Sequence, residues 1–446
     1  MEGPAPAGPA YECDITIAAQ LELGPPHRFV TKKGVRRVVP TVCFGPMPPR
    51  PPLTTIFAAA LRLGCTSFGG PLAHLAYFRE EYVTRRRWLD DAQFADLVAL
   101  CQFLPGPASS QVGFGVGYLQ RGLRGGLAAW LGFTLPTALL MIGFAKGMML
   151  LGDPGAAGWL RGLKAAAVAV VAQAVWLMAR SLCPDWPRRG LALLSASVVL
   201  WLPFAWSQVA VIAIGAALGW LFLHVGSSLV DGPSRPGPST SDGPTFRIGV
   251  PYLVLFFFLL AVLPWMAHLT HQPLLEIFDR FYRSGALVFG GGHVVLPLLE
   301  REVVAPGWVT PDQFLAGYGA AQAMPGPLFT LSAYLGAVMN HGPGGFAGGL
   351  WALGAIFLPA LLLVAGTLPF WQTLRHRPGA RAAMRGANAA VVGVLLAALW
   401  HPVGTSGITS WAAGVIALVA LVALLSGKIP AWAVVLGSAG LGSLIA

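Results

Sequence analysis

The chain of 446 residues is strongly apolar, with 55% hydrophobic residues, 11% charged residues and a mean hydropathy of +0.66. Apolar runs of the roughly 20 residues that cross a bilayer as a helix recur along it, which excludes a water-soluble domain. The net charge of +11 does not indicate nucleic-acid binding, because the arginines lie in short loops between apolar runs, where they set membrane topology. The five cysteines form no CxxC pair, so neither a disulfide framework nor a zinc site is indicated.

Taken in order, the chain divides into five predicted parts. Residues 1–52 are Pro-rich and basic and are predicted to be a disordered cytoplasmic tail. Membrane-like sequence follows at 53–224, and the Ser/Pro/Gly-rich stretch 225–247 is predicted to be a linker. Residues 248–273 form an unpaired connecting transmembrane helix with a short loop, and 274–446 form a second membrane unit. We therefore predict an all-α polytopic membrane protein with two membrane units.

The same helix-breaking motif lies within an apolar run of each unit, as QFLPGP at 102–107 and QAMPGP at 322–327. Proline lacks the N–H that a helix interior needs, and glycine tolerates the dihedral angles of a sharp reversal. Pro107 and Pro327 suit the first turn of a restarted helix, whose free N–H groups attract anions. At membrane depth such freed groups need protein or a water-filled cavity around them, so the motif predicts the solvated site of a transporter.

The second unit repeats the first in register. The FGG sequence at 68–70 recurs at 289–291, and the segment 161–176 recurs as 385–400. Matches that hold over such distances indicate a duplicated unit.

Arginine distribution predicts that the two units face opposite sides of the membrane. The loop 79–91 has four arginines while its counterpart 299–312 has one, and 371–385 has four while its counterpart 151–161 has one. Because basic loops favour the cytoplasmic side, this pattern predicts an inverted structural repeat with broken or re-entrant helices, a common plan of secondary transporters.

Requiring all basic loops to obey one topology favours four re-entrant hairpins together with nine full spans, with the C-terminus outside. Thirteen ordinary spans are the alternative, and they would place the arginines of 79–91 outside. The four predicted hairpins are 53–78, 94–118, 274–298 and 312–340.

The sequence LGCTSFGGP at 63–71, followed by REE at 79–81, RWL at 87–89 and the PGP motif, resembles the chromate ion transporter family in its long, duplicated form. The resemblance covers about residues 51–446. It implies a multi-pass protein of the inner (plasma) membrane that exports chromate, coupled to the proton-motive force or to exchange with sulfate. One departure is that Gly292 and His293 follow the second FGG where Pro71 and Leu72 follow the first, so the two hairpins need not be equivalent.

Two alternatives remain open at this stage, a sulfate-type oxyanion uptake carrier and an anion channel of the same architecture. An enzyme is not indicated, because the chain has no HExxH, GxxxxGK[ST] or CxxC motif. The expected partners are chromate, sulfate and the lipid bilayer, with no cofactor and no metal, and a homodimer is compatible with the sequence.

Several candidate substrate-binding residues occur in repeat-related pairs. Arg62 and Arg283 precede the two FGG sequences, and an arginine inside a membrane segment costs about 2.5–3.5 kcal/mol on insertion scales. They could bind a tetrahedral dianion through bidentate hydrogen bonds. Alternatively, each could snorkel to the interface or pair with a carboxylate such as Asp279. The break residues are also predicted to line the site, namely Gly69, Gly70, Gly290, Gly291, Pro105, Gly106, Pro107, Pro325, Gly326 and Pro327.

Hydroxyl and amide side chains near the PGP motifs are further candidates. Ser110 and Thr330 lie three residues beyond the second proline, where a hydroxyl could bind an oxyanion or merely cap the helix. Gln102 and Gln322 precede the breaks and could bind the substrate or satisfy freed backbone groups.

Proton coupling has its own candidates. Glu81 and Glu302 are repeat-related and could exchange protons or hold neighbouring arginines by ion pairing. His74 and His293 lie near the FGG breaks, where a histidine could titrate near neutral pH or simply pack.

Overall fold

Helices make up all the regular structure of the residues that the computed structural model describes. The all-α prediction is therefore confirmed for this part of the chain. Most of the predicted tail and linker, and the motif residues Gly290, Gly291 and His293, lie outside it. The described residues are 50–150, 158–202, 207–222, 244–289, 294–371 and 378–444.

The first half contains seven helices in its described residues, and a connecting helix follows it. A π-helical turn at Arg79–Arg85 continues the second of them. The helices are α1 (Leu53–Thr66), α2 (Gly70–Phe78), α3 (Asp91–Phe103), α4 (Ala108–Leu150), α5 (Gly158–Leu182), α6 (Trp186–Trp201), α7 (Ser207–Phe222) and the connecting α8 (Pro244–Thr270).

The second half contains eight longer helices in its described residues. A 3₁₀ turn at Leu328–Thr330 precedes the fourth of them. The helices are α9 (Pro273–Ala286), α10 (Val295–Val303), α11 (Pro311–Ala323), α12 (Leu331–Val338), α13 (Gly345–Thr367), α14 (Pro378–Ala398), α15 (Trp411–Leu425) and α16 (Ala431–Leu444).

The same local signal starts α3 and its counterpart α11. The Asp90 side chain accepts a hydrogen bond from the Gln93 backbone N–H, and the Gln93 side chain accepts one from the Asp90 N–H. Thr310 and Gln313 form the same reciprocal pair at the start of α11. This capping box satisfies backbone donors that would otherwise be free, so it fixes where each helix begins.

Five of the described helices are long and apolar enough to cross a membrane, and they confirm a polytopic membrane protein. Four further helices that the sequence predicts as full spans, namely α6, α7, α15 and α16, have only 14–16 residues. At 1.5 Å per residue they are about 21–24 Å long, less than the ~30 Å hydrocarbon core. Nine full spans therefore remain a prediction. The five long segments are Ala108–Leu150, Gly158–Leu182, Gly249–Thr270, Gly345–Phe370 and Arg381–Gly407.

Helix α4 reverses direction near its first third, because Arg121 and Gly122 have non-helical dihedral angles. The segments before and after this reversal pack so closely that a Cβ atom on Gly117 or Gly125 would collide with the backbone of the other. Gly336 of α12 and Gly348 of α13 meet in the same way in the second half. Both halves thus contain one helical hairpin whose crossing only glycine permits.

The two halves also exchange helices. Helix α5 packs against α16, where a Cβ atom on Gly162 would collide with the Ser438 carbonyl. Its counterpart α14 packs against α7, where a Cβ atom on Gly386 would collide with the Gly215 carbonyl. Each half therefore completes the packing of the other, and the largest buried apolar cluster contains residues of both.

Candidate substrate site

The PGP motifs break their helices as the sequence predicts. Gly106 has φ +125° and Gly326 has φ +95°, a region that favours glycine. The first break separates α3 from α4, and the second separates α11 from the 3₁₀ turn before α12. Pro107 and Pro327 lie one residue before the restarted helix rather than within its first turn, because their carbonyls accept its first hydrogen bonds.

Backbone hydrogen bonds join each PGP break to the other half. The Gly106 N–H donates to the Val288 carbonyl at 2.6 Å, and the Gly326 N–H donates to the Ser67 carbonyl at 2.9 Å. Val288 and Ser67 each directly precede an FGG sequence, and they are repeat counterparts. The contacts are therefore reciprocal, as a twofold relation between the halves requires, and they bring the broken segments together.

Different side chains donate hydrogen bonds to the backbone carbonyls at the two PGP breaks. The Thr137 hydroxyl donates to the Pro325 carbonyl, whereas the Gln111 amide donates to the Pro105 carbonyl at 2.8 Å. The repeat counterpart of Thr137 is Ala360, which lies beside Gly106 without a hydroxyl. The backbone arrangement is thus shared by the two halves, while the polar groups around it are not.

Several buried polar atoms near the breaks have no hydrogen-bond partner among the described residues. They are Ser67 Oγ, Ser110 Oγ, Gln111 Oε1 and Gln322 Nε2. Buried polar atoms are normally paired with protein, ordered water or ligand. Of the predicted residues, Ser110 and Gln322 therefore have such atoms in this region, and the Gln322 amide also lies beside the Tyr318 side chain.

The other two hydroxyl and amide candidates have different surroundings. The Thr330 hydroxyl donates to the Pro327 carbonyl at 2.7 Å and makes no capping hydrogen bond to the backbone N–H groups of α12. Gln102 is exposed.

Gly69 and Gly70 form the FGG break between α1 and α2, and their φ angles are +100° and +78°. Their break adjoins Ser67, which accepts the hydrogen bond from Gly326.

Arg283 is surrounded by carboxylates. Its guanidinium lies 2.8 Å from Asp279 and 3.3 Å from Glu302, and 18% of its side chain is exposed. The pairing with Asp279 is the alternative that the sequence suggested. Glu302, predicted separately as a coupling residue, lies on the same guanidinium.

Arg62 differs from its counterpart. It is exposed on α1, and within the described residues its side chain has no ion-pair partner. The position equivalent to Asp279 is Ala58, which offers no carboxylate. The repeat therefore aligns the two arginines without giving them equivalent surroundings.

A small cavity lies beside Arg283. Its volume of about 20 Å³ is enough for roughly one water molecule. Helix α7 of the first half contributes Gln208, whose Oε1 is buried and has no partner among the described residues. Arg301 donates to Ser207 Oγ at 3.1 Å and so ties α10 to the same helix. The lining residues are Gln208, Val209, Arg283, Ser284, Leu287, Leu298, Arg301 and Glu302.

The first-half coupling candidates occupy structural positions. Glu81 is buried and pairs with Arg85 at 3.2 Å and Arg86 at 2.7 Å. His74 is buried against the rings of Phe78 and Phe133. These contacts are the packing and ion-pairing alternatives considered from the sequence.

Sequence reasoning missed Ser67, Gln111 and Thr137. Gln111 directly follows Ser110, and Thr137 follows a proline inside α4, so a search for polar residues next to helix-perturbing positions could have found both. Nothing in the sequence indicates that Thr137 reaches Pro325. Among the described residues, no group of three or more His, Cys, Asp or Glu side chains could hold a metal ion.

The match to known proteins is also divided between the two halves of the chain. The family model for chromate transporters matches residues 54–220 and again 275–443, well over half of the chain. A chromate transport protein of Pseudomonas aeruginosa is 28% identical over 369 residues, 78% of this chain and 80% of the relative. A probable chromate transport protein of Synechococcus elongatus is 27% identical over 346 residues, 76% and 81% respectively.

A chromate transport protein of Cupriavidus metallidurans is 25% identical over 345 residues, which are 76% of this chain and 80% of the relative. No solved structure matches the chain. The family match to both halves shows that the chain is a transport protein and not an enzyme. The chain belongs to the chromate transporter family, in its duplicated long form.

Proposed function

We propose that the chain is a secondary transporter that exports chromate across the inner (plasma) membrane, driven by the proton-motive force or by exchange for sulfate. The observation that carries the proposal is the pair of reciprocal hydrogen bonds from Gly106 to Val288 and from Gly326 to Ser67. They place broken helices of both halves around one region. Broken helices facing each other at the repeat interface are where secondary transporters bind their substrates.

The proposed oxyanion site lies between these breaks. The free N–H groups at the start of α4 and the unpartnered Ser110 hydroxyl offer hydrogen-bond donors to an anion. Gln322 offers its Nε2 from the second half. Because both halves contribute donors, a rocking motion of one against the other would expose the site to each side in turn.

Arg283 is the proposed charged ligand on the second-half side. In the structure two carboxylates neutralise it, and the cavity beside it is too small for an oxyanion. Binding of a dianion therefore requires Glu302 to move away from the guanidinium, whose planar donors can then bind the anion in a bidentate manner. Displacement of a carboxylate gives a physical route by which protons could be coupled to anion movement.

The membrane orientation of the two halves is proposed from the distribution of arginines in their loops. The arginine-rich loops 79–91 and 371–385 lie on the cytoplasmic side under the positive-inside rule, which makes the repeat inverted. The names of three relatives refer to chromate transport, which supports chromate as the substrate. Sulfate has the same charge and shape as chromate, so exchange between them requires no second site.

The test is radiolabelled chromate and sulfate flux in proteoliposomes with imposed pH and counter-anion gradients. We expect saturable chromate flux that is accelerated by a pH gradient or by sulfate on the opposite side. The variant Gly106→Leu should insert normally but lose flux, because a side chain there would meet Gln111 and Ala360. Sulfate flux without chromate flux would indicate an uptake carrier instead, and unsaturable flux without counter-transport would indicate a channel.

A further inference from the structure

His341 lies in the loop after α12 and stacks on the indole of Trp308. The ring centroids are 4.1 Å apart and the planes differ by 10°. Asn340 fixes this arrangement, because its backbone N–H donates to the Trp308 carbonyl at 3.1 Å and its side chain donates to the Gly307 carbonyl at 3.2 Å. The imidazole is therefore held against a well-defined aromatic face.

The other face of Trp308 carries a cation. The Arg280 guanidinium carbon lies 4.3 Å from the indole centroid. Two groups this close to one ring centre must lie on opposite faces, and Trp308 itself is only 7% exposed. The buried indole thus separates an imidazole from a guanidinium, and each is affected by the charge of the other.

Arg280 connects this stack to Arg283, the proposed charged ligand. It donates to the Glu302 backbone carbonyl at 3.0 Å and lies 3.6 Å from the Glu302 carboxylate. The same carboxylate lies 3.3 Å from Arg283. A continuous series of contacts therefore leads from His341 to Arg283.

We propose that His341 is a positioning residue that makes anion binding at Arg283 depend on the pH on its side of the membrane. This inference rests on the function proposed above. Histidine is the side chain that ordinarily changes charge between pH 5 and 8. Nε2 of His341 lies 3.0 Å from the Glu276 carboxylate, which is therefore the acidic partner of a charged imidazole at this position.

A charged imidazole changes how strongly Arg280 interacts with Trp308 and with Glu302. Two cations on opposite faces of one indole repel each other and compete for its π electrons, so Arg280 is held less firmly by Trp308. Its charge is then more available to the Glu302 carboxylate. Glu302 in turn holds Arg283 less strongly, and the guanidinium becomes available to an anion. Acid on this side is therefore expected to tighten anion binding.

The other charged groups near the contacts from His341 to Arg283 do not reverse the expected effect of acid on anion binding. His271 lies 3.9 Å from the Glu276 oxygen that does not face His341, and Asp279 lies 2.8 Å from Arg283. On α10, Arg301 donates to Ser207, burial raises the pKa of Glu300, and Glu302 is the carboxylate that lies within 3.6 Å of Arg280 and 3.3 Å of Arg283. Glu302 is thus the carboxylate whose pairing changes.

Chromate binding to the purified full-length protein in detergent tests the proposal, at about pH 5.5 and about pH 8, below and above the ordinary histidine pKa of about 6.5. Each variant is compared with wild type at the same pH, which cancels the protonation of the anion itself. His341→Gln should weaken binding about tenfold at the acid pH, a typical size for coupling between two sites, and should leave it unchanged at the alkaline pH. Trp308→Leu releases Arg280 from the indole at either pH, so it should bind chromate at the alkaline pH about as tightly as wild type does at the acid pH.

His268→Gln is the matched control, because His268 is exposed at the end of α8 and its nearest aromatic ring is His271, at 5.9 Å. It should bind as wild type at both pH values. A wild-type ratio between the two pH values in His341→Gln or in Trp308→Leu would overturn the inference while leaving chromate binding, and so the proposed function, intact. Absence of chromate binding by the wild type at both pH values would overturn both.

Discussion

Gly326 offers the most direct test of how the two halves meet. Its φ of +95° is unfavourable for any residue with a Cβ atom, and a Cβ built there would collide with Thr137 Oγ1. That hydroxyl donates to the Pro325 carbonyl. The substitution Gly326→Ala should therefore strain the backbone and also displace the hydroxyl from its acceptor.

The two effects have estimable sizes. A non-glycine residue in the left-handed region costs about 1–2 kcal/mol, and loss of a hydrogen bond costs about 0.5–1.5 kcal/mol. Gly326→Ala should thus lower the free energy of unfolding by about 1.5–3.5 kcal/mol. Thr137→Ala alone loses only the hydrogen bond to Pro325, so it should cost about 1 kcal/mol.

The double variant separates these contributions. Thr137→Ala removes the atom that collides with the new Cβ, so the hydrogen bond is lost only once in the pair. The double variant should therefore be about 1 kcal/mol more stable than the sum of the single effects, whereas independent sites add within about 0.3–0.5 kcal/mol. Denaturant unfolding of the purified variants in mixed micelles measures all three values, with chromate flux recorded alongside.

Gly143→Ala is the matched control, because Gly143 lies in α4 with no atom within 4 Å of a built Cβ. Alanine should be neutral there or stabilising by up to about 1 kcal/mol. Strict additivity in the double variant, or a Gly326→Ala protein as stable as wild type, would refute the contact between Thr137 and the second PGP break.

Two further predictions address the arginines and the topology. Arg283→Lys should raise the half-saturation concentration for chromate roughly ten- to hundred-fold, because lysine keeps the charge but loses the bidentate hydrogen bonds, whereas the exposed Arg62→Lys should transport as wild type. Equal losses in the two variants, after correction for membrane abundance, would instead support a symmetric arginine pair. In a cysteine-free protein in intact cells, cysteines replacing the exposed residues Thr84 and Leu123 should be shielded from an impermeant thiol reagent added outside, and one replacing the exposed Pro343 should be labelled. Labelling at 84 or 123 from outside would contradict the hairpin topology, and shielding at 343 would contradict the inverted repeat.

The sequence by itself determined the membrane class, the duplication and the positions of the breaks. The length and apolarity of the runs determine the membrane class, because only helices that satisfy their own backbone groups cross a bilayer. The breaks follow from local chemistry, since Pro105, Gly106 and Pro107 cannot continue a helix whatever surrounds them. These properties depend on residues that are adjacent in the chain, and the structure has broken helices at both PGP motifs.

Pairing between distant residues could be predicted only in part. The Asp279–Arg283 ion pair was foreseeable because residues four apart share a helix face. The contact of Glu302 with the same guanidinium was not, because it depends on how α10 folds back on α9.

Only the tertiary structure decided which residues accept the hydrogen bonds from the backbone N–H groups at the breaks. The Gly106–Val288 and Gly326–Ser67 hydrogen bonds cross between halves, and no local pattern specifies an acceptor so far along the chain. The same holds for the different surroundings of Arg62 and Arg283. Their sequence positions are equivalent, but the energy of a buried charge depends on the carboxylates and solvent around it, which packing alone sets.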